Sequence, residues 1–166
     1  MPPRDRQEQI EELLEHYRAP RHRGAIADPD VAMPGGNPGC GDVVTIYLKG
    51  APDHEHIAAV AFEGEGCTIS QAAASMLMEK IHEDRLTMPQ VLALDYNAMI
   101  DALGREVVAS RPRCATLALG TLKAAVKKYL WNHGVVPTDH QSRAGEQDTA
   151  GLVFGEGAEQ AAKTGA

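Results

Sequence analysis

The first apolar pattern of the chain has a helical period. Within residues 4–18, apolar side chains recur three and four positions apart among Glu, Gln and Arg. The apolar positions are Ile10, Leu13, Leu14 and Tyr17. This spacing predicts an amphipathic helix. The helix is expected to end at Ala19-Pro20, because the residue before a proline is pushed out of the α region.

The next stretch predicts a loop followed by a hairpin. Residues 20–41 contain four prolines and five glycines, a composition typical of irregular backbone rather than of a strand or a helix. The segment 43–49 alternates and is rich in β-branched residues, and a second candidate strand, 57–63, follows a turn at 50–53. Two such strands around a short turn predict a β-hairpin.

Helical spacing returns in the second half of the chain. Apolar residues fall on one face over residues 70–82, with Ser70 as the predicted N-cap, and again over residues 88–103. Pro112 precedes a longer pattern over residues 114–131, which predicts a closing helix.

Beyond residue 132 the apolar pattern fades. Residues 133–166 are mostly small, polar or charged, which predicts a flexible C-terminal tail. The folded unit is then residues 4–132, an α+β domain in which a small antiparallel sheet packs against helices on one face. A chain of 166 residues has room for one domain of this kind.

Composition and charge narrow the functional classes. The formal net charge of −7 argues against a nucleic-acid binder, which usually carries a basic face. No apolar run approaches about 18 residues and the start of the chain is charged, so we expect neither a membrane span nor a secretory signal. Three cysteines, an odd number, argue against a disulfide framework and predict a reduced, cytoplasmic setting.

Each cysteine stands at a junction between predicted elements. Cys40 precedes the first strand, Cys67 lies between the second strand and a helix, and Cys114 begins the closing helix. Helix N-termini favour thiolates, and we expect Arg111 and Arg113 to lower the pKa of Cys114 if they face it. A single cysteine in such a place is most simply a small buried residue at a turn. Three of them indicate a shared site.

Asp42, two residues after Cys40, completes a candidate set of four ligands. Three thiolates and one carboxylate can hold Zn²⁺ tetrahedrally or fill the outer positions of a [2Fe–2S] cluster. No C-x-x-C occurs, so a zinc finger has no support. A carboxylate is a harder and usually weaker ligand than a thiolate in sulfur-rich centres. The set therefore favours a site that releases its cargo over a permanent electron-transfer centre.

Four segments of the chain together resemble one known family. They read N-P-G-C-G-D over residues 37–42, F-E-G-E-G-C-T-I-S over 62–70 and R-C-A-T-L over 113–117, with an opening segment at 16–24. In this order they resemble the motifs of the iron–sulfur assembly scaffolds IscU, SufU and the N-terminal domain of NifU. The similarity spans residues 10–131.

Within that family the motifs are most similar to the SufU branch. Arg113 stands where IscU proteins carry a histidine, and residues 107–113 lack the proline-valine motif to which a dedicated chaperone docks. The segment between the second and third cysteines is shorter than in most SufU proteins. The chain therefore lies between the branches, with its motifs favouring SufU.

The resemblance implies a SufE/NifU-like sandwich fold and a ligand set of Cys40, Asp42, Cys67 and Cys114. It implies zinc at this site, with iron or a transient [2Fe–2S] cluster as the alternative. In SufU-like proteins the third cysteine accepts a persulfide sulfur from a SufS-like cysteine desulfurase, and an arginine three residues earlier takes part in docking and ligand exchange. Cys114 and Arg111 hold these two positions. Downstream partners would be iron–sulfur assembly proteins or apo-proteins.

Three functions remain open at this point. The first is a SufU-type sulfur acceptor, which is either a carrier or, if it counts as an enzyme, a zinc-dependent sulfurtransferase. The second is an IscU-type scaffold that builds and transfers a [2Fe–2S] cluster. The third is a structural zinc protein that serves as an interaction module, although structural sites usually have ligands at short spacings.

Overall fold

The computed structural model describes residues 4–135 and 151–164. The elements in chain order are α1 (Arg6–Arg18), β1 (Val31–Asn37), β2 (Asp42–Gly50), β3 (Ile57–Glu65), α2 (Thr68–Asp84), α3 (Met88–Leu92), α4 (Tyr96–Leu103), α5 (Pro112–Asn132), β4 (Val153–Phe154) and α6 (Ala158–Thr164). None of these helices is long and apolar enough to cross a membrane.

The fold is α+β, as the sequence predicts. Four antiparallel strands form one sheet in the order β3-β2-β1-β4, and the predicted hairpin is the pair β2 and β3. The helices α2 and α5 pack against each other and against this sheet. The core lies between them and includes Ile46, Phe62, Leu77, Leu117 and Leu122.

The prediction of a continuous loop over residues 20–41 is wrong, because β1 lies inside it. The two glycines that discouraged a strand are there because both faces of β1 are crowded. A Cβ on Gly35 would lie 2.0 Å from Thr121 Oγ1 of α5, and a Cβ on Gly36 would lie 2.3 Å from the carbonyl oxygen of Ala158 in α6. Close packing by two helices on opposite faces therefore selects glycine in this strand.

Three predicted boundaries also change. The helix predicted over residues 70–82 begins at Thr68, with Cys67 rather than Ser70 as its N-cap. The helix predicted over residues 88–103 is two helices, and Asp95 caps the second of them by accepting from the backbone of Asn97. Strand β3 continues to Glu65, two residues beyond the predicted range 57–63.

The structure of the C-terminal part differs from the flexible tail that the sequence predicts. Residues 151–164 form β4 and α6, and both pack against β1. Ala158 and Ala162 are buried in this contact. Residues 136–150 lie outside the described residues, so there the tail stays a prediction, as does the domain boundary at residue 132.

Helix α1 docks on α2 through a buried histidine. His16 is 2% exposed, its Nδ1 lies 2.7 Å from Ser75 Oγ, and its Nε2 lies 3.3 Å from Glu79 Oε2. Ser75 Oγ also accepts from the backbone N–H of Arg21 at 2.8 Å. Burial, and then the charge of Arg21, lower the pKa of His16 in spite of the nearby Glu79 carboxylate. The docked helix therefore holds His16 neutral.

We expect the stability of the protein to fall as the pH falls through the unfolded-state pKa of His16, about 6.5. Below that pH the unfolded chain binds a proton that the folded chain takes up only at lower pH, so acidification favours unfolding. Urea unfolding at neutral and mildly acidic pH measures the difference. In His16→Gln the pH dependence should be weaker, whereas the exposed His56→Gln should keep it. An unchanged pH dependence in His16→Gln would contradict this assignment.

Candidate metal centre

The candidate ligands come from three separate junctions of the fold. Cys40 lies in the turn between β1 and β2, and Asp42 is the first residue of β2. Cys67 caps α2, while Cys114 lies in the first turn of α5. Although the chain separates them by up to 74 positions, counting from residue 40 to residue 114, the sheet brings all three junctions to one end of the molecule.

Three of the four ligand atoms form one tight group. The thiol sulfurs of Cys40 and Cys114 and a carboxylate oxygen of Asp42 all lie within 4.8 Å of one another. Cys67 is not part of that group, but its backbone N–H donates to Asp42 Oδ1 at 2.7 Å. Its thiol interacts with that of Cys114. Cys114 is buried, Cys67 is half-buried and Cys40 is exposed, so the site opens on the Cys40 side.

The Asp42 carboxylate is the buried hub of this group. It is 0% exposed, and Oδ1 accepts from the Cys67 backbone N–H and from the Ser70 hydroxyl at 3.2 Å. Oδ2 accepts from the Cys114 thiol at 2.9 Å. On its other side, the Cys114 sulfur accepts from the side-chain amide of Asn37 at 3.5 Å. Hydrogen bonds from Cys67 and Cys114 therefore connect the starts of α2 and α5 to the Asp42 carboxylate at the start of β2.

Gly66 makes room for that carboxylate. Its φ is +156°, and a Cβ at this position would lie 2.2 Å from Asp42 Oδ1 and 2.8 Å from Ser70 Oγ. A glycine lets another group approach the backbone closely, because it has no side chain. At Gly66 it is the protein's own carboxylate that approaches.

The thiols of Cys67 and Cys114 share their protons unequally. A hydrogen bond from the Cys114 thiol lowers the pKa of Cys67 to about 6, helped by the backbone N–H of Ser70. The pKa of Cys114 is raised, first by that hydrogen bond, then by burial and by the neighbouring Asp42 carboxylate. The lowered pKa that we expect if the two arginines face Cys114 is not found, because its other neighbours and burial raise the pKa instead.

The two arginines point to different places. The pKa of Arg111 is raised chiefly by its interaction with the Cys67 sulfur, and less by Cys40 and Cys114. Its guanidinium therefore lies on the open side of the site, with Cys67 as its main partner. The guanidinium of Arg113 lies near Gly39, where a Cβ would be 3.9 Å from Nη1, and near Gly151, where a Cβ would be 2.9 Å from it. Arg113 therefore lies between the Cys40 turn and the C-terminal segment.

A comparison with protein families identifies the domain. The model described as "NifU-like N terminal domain" matches residues 8–135. The chain belongs to this family. The family that the cysteine motifs suggested is thus confirmed.

Individual members of the NifU-like family resemble the chain over most of their length. The iron–sulfur cluster assembly scaffold protein IscU of Aquifex aeolicus is 33% identical over 76% of this chain and 78% of its own. The zinc-dependent sulfurtransferase SufU of Bacillus subtilis is 31% identical over 70% and 87%. A crystal structure of a protein proposed as the SUF-system scaffold of Fervidobacterium islandicum AW-1 superposes with a TM-score of 0.56 at 26% identity, covering 70% of this chain and 95% of that one.

The donor set of this NifU-like chain fits a tetrahedral metal. With zinc–thiolate bonds of about 2.3 Å, tetrahedral ligand atoms lie about 3.8 Å apart. The ligand atoms of Cys40, Asp42 and Cys114 already lie within 4.8 Å of one another and can reach that separation with small movements. The Cys67 thiol, which lies outside this group, would have to move toward it. Three thiolates and a carboxylate suit zinc, and they equally suit the outer positions of an iron–sulfur cluster.

Two residues of the site were not recognised as such from the sequence. Asn37 contacts the Cys114 sulfur, and Ser70, predicted as a helix cap, binds Asp42 instead. Both lie inside the cysteine motifs, which is a signal that they share the site. Their partners are 77 and 28 positions away, however, and a local pattern does not reveal such contacts.

Proposed function

We propose that this NifU-like protein is a SufU-type protein of iron–sulfur cluster assembly. In this role it accepts persulfide sulfur from a cysteine desulfurase at a site of three cysteines and one aspartate. The observation that carries the proposal is the approach of the Cys40 and Cys114 thiols to the buried Asp42 carboxylate, to which the Cys67 backbone N–H also donates. The Arg111 guanidinium lies beside this group. The cytoplasmic location stays a prediction.

The four residues that would hold the metal are Cys40, Asp42, Cys67 and Cys114. When bound, zinc would keep the coordinating thiols deprotonated at neutral pH. In the structure the Cys114 thiol donates to Asp42 Oδ2, and its pKa is raised by Cys67, by burial and by Asp42. The protein groups around Cys114 therefore favour its thiol form, whereas a bound metal would favour its thiolate.

Sulfur transfer to Cys114 requires a rearrangement, because this side chain is 0% exposed. When Cys114 moves outward, Asp42 Oδ2 loses its thiol donor. Arg111 stands exposed at the start of α5, three residues away, and its guanidinium can then donate to the vacated carboxylate oxygen. In this proposal Arg111 is a positioning residue. It replaces the Cys114 thiol as hydrogen-bond donor to the buried Asp42 carboxylate and so stabilises the outward position of Cys114.

The transfer itself is a thiol–disulfide exchange without net oxidation. The Cys114 thiolate attacks the terminal sulfur of the desulfurase persulfide, and a new S–S bond forms on Cys114. The S–S bond of the donor breaks, and the desulfurase cysteine leaves as a thiolate. No other oxidant or reductant is needed.

Metal analysis of the purified protein combined with a desulfurase assay tests the proposal. We expect about one zinc per chain, as a four-ligand site implies, and faster sulfide release by a SufS-like desulfurase when this protein is added. Arg111→Ala should retain zinc and reduce the stimulation, because Arg111 is not a ligand. A zinc-loaded protein that leaves the desulfurase rate unchanged would refute the sulfur-acceptor role.

A second candidate is an IscU-type scaffold that builds and transfers a [2Fe–2S] cluster. The similarity to scaffold proteins and the single carboxylate in the donor set favour it. Anaerobic addition of iron and sulfide should then produce the absorption spectrum of a cluster, and Asp42→Ala should retain that cluster longer. Zinc binding without any cluster spectrum would favour the sulfur acceptor. Metal-dependent folding without desulfurase binding would favour a structural zinc module instead.

A further inference from the structure

The segment formed by residues 151–164 lies beyond the part of the chain that the family model matches. It contains β4 and α6 and is called here the C-terminal brace. Within it, Val153 and Phe154 pair with Gly36 and Gly35 of β1, and the Gly155 N–H donates to the Pro34 carbonyl at 2.8 Å. The brace is therefore joined to the strand that leads directly into the Cys40 turn.

Helix α6 covers the face of the sheet opposite α5. Adjacent residues of a strand point to opposite faces. Gly35 faces Thr121 of α5, whereas Gly36 faces Ala158 and Ala162 of α6. Val43, which pairs with Gly36, is buried under the same cover and immediately follows the ligand Asp42.

The brace also reaches the Cys40 turn from two sides. A Cβ on Gly41 would lie 3.8 Å from the carbonyl oxygen of Ala162 in α6. On the other side the Arg113 guanidinium lies between Gly39 of the turn and Gly151 of the brace. Gly41 is thus close to the brace itself, and Gly39 is close to an arginine that lies beside the brace.

The Cys40 turn has little else to hold it. Its three internal hydrogen bonds all run to Asn37, from the backbone N–H groups of Gly39, Cys40 and Gly41. Gly41 has a φ of +73°, and Cys40 between the two glycines is exposed. Glycines have many backbone conformations, so ordering this turn costs conformational entropy. External contacts therefore decide how firmly Cys40 is held.

We propose that the C-terminal brace positions Cys40, so that docking of α6 keeps this exposed ligand in place and its release loosens the open side of the site. The inference rests on the proposed function in one respect, the assignment of Cys40 as a ligand. Asp42 is buried and bonded at both oxygens, so Cys40 is the ligand that the brace can free without disturbing the hub.

The test uses the full chain with Ala162→Glu, which places a carboxylate at a buried position facing Gly36. Gln160→Glu is the matched control, since it adds the same charge at an exposed position of the same helix. In the metal-free proteins, hydrogen exchange in residues 37–42 should be about tenfold faster for Ala162→Glu than for the wild type. The control should exchange at the wild-type rate. Zinc-loaded protein should release zinc to a chelator faster by a similar factor.

A second variant releases the brace by a substitution in β1 instead of in α6. Gly36→Val inserts a side chain where α6 lies, and Ala32→Val is its control at an exposed position on the same face of β1. Exchange within residues 151–164 reports directly that the brace has been released. Released brace with unchanged exchange in residues 37–42 would overturn the proposal. Failure of the chain to bind zinc would count against the proposed function alone, because the metal-free exchange data still decide the role of the brace.

Discussion

Replacing Cys114 by serine is expected to abolish the capture of sulfur from a persulfide-loaded cysteine desulfurase. Serine keeps the size of the buried side chain and a hydrogen donor for Asp42 Oδ2, so the fold around the site should persist. A serine hydroxyl, however, cannot form the new S–S bond. Mass spectrometry of the intact chain after incubation with desulfurase and cysteine measures the added sulfur directly.

The matched control for this experiment is Cys40→Ser. Both changes remove one candidate ligand, but only Cys114→Ser removes the proposed acceptor. Cys40 is exposed and Cys114 is buried, so accessibility alone favours Cys40 as the acceptor. Retained sulfur in Cys114→Ser together with lost sulfur in Cys40→Ser would assign the acceptor to Cys40 and refute the rearrangement at Cys114.

Replacing Asp42 by alanine is expected to lower the unfolding free energy of the metal-free chain by about 2 kcal/mol, because three donors lose their acceptor. These donors are the Cys67 backbone N–H, the Ser70 hydroxyl and the Cys114 thiol. The change also removes one of the four ligands, so zinc affinity should fall by at least about tenfold, the factor that corresponds to roughly 1.4 kcal/mol. Urea unfolding and competition with a chelator measure the two effects separately.

Asp42→Asn separates the structural role of this residue from its charge. The amide oxygen can still accept from Cys67 and Ser70, so most of the stability should return while the loss of zinc affinity persists. Ser70→Ala removes a hydroxyl that contacts Asp42, the Cys67 carbonyl and the Gln71 amide, and it should cost at least about 1 kcal/mol without removing a ligand. Equal stability of Asp42→Ala and the wild type would contradict the hub role of the carboxylate.

Much of the fold follows from short-range patterns in the chain. The amphipathic stretch around Leu13 becomes α1, and the alternating segments become the β2–β3 hairpin, because helix and strand periods are local properties. The strand β1 was missed because Pro34, Gly35 and Gly36 lower strand propensity. Their presence makes sense only with Thr121 and Ala158 packed on the two faces.

A candidate ligand set could be proposed from the sequence, whereas the electrostatics of the site could not. The cysteine motifs placed four candidate ligands at element junctions, and the structure brings these junctions together. The neighbouring arginines suggested a lowered pKa for Cys114, yet the pKa is raised by Cys67, by burial and by the Asp42 carboxylate, which accepts the thiol proton. Proximity along the chain does not show which group a side chain faces.

The sequence by itself therefore determined the family, the α+β class and the identity of the candidate ligands, since motifs and periodicity are written in neighbouring residues. Only the tertiary structure decided that Cys40 is exposed and Cys114 buried, that Asp42 is the hub, and that β4 and α6 within residues 151–164 pack against β1. Burial and hydrogen-bond partners depend on residues far apart in the chain. The 72 positions between Asp42 and Cys114 are closed only by packing α5 against the sheet.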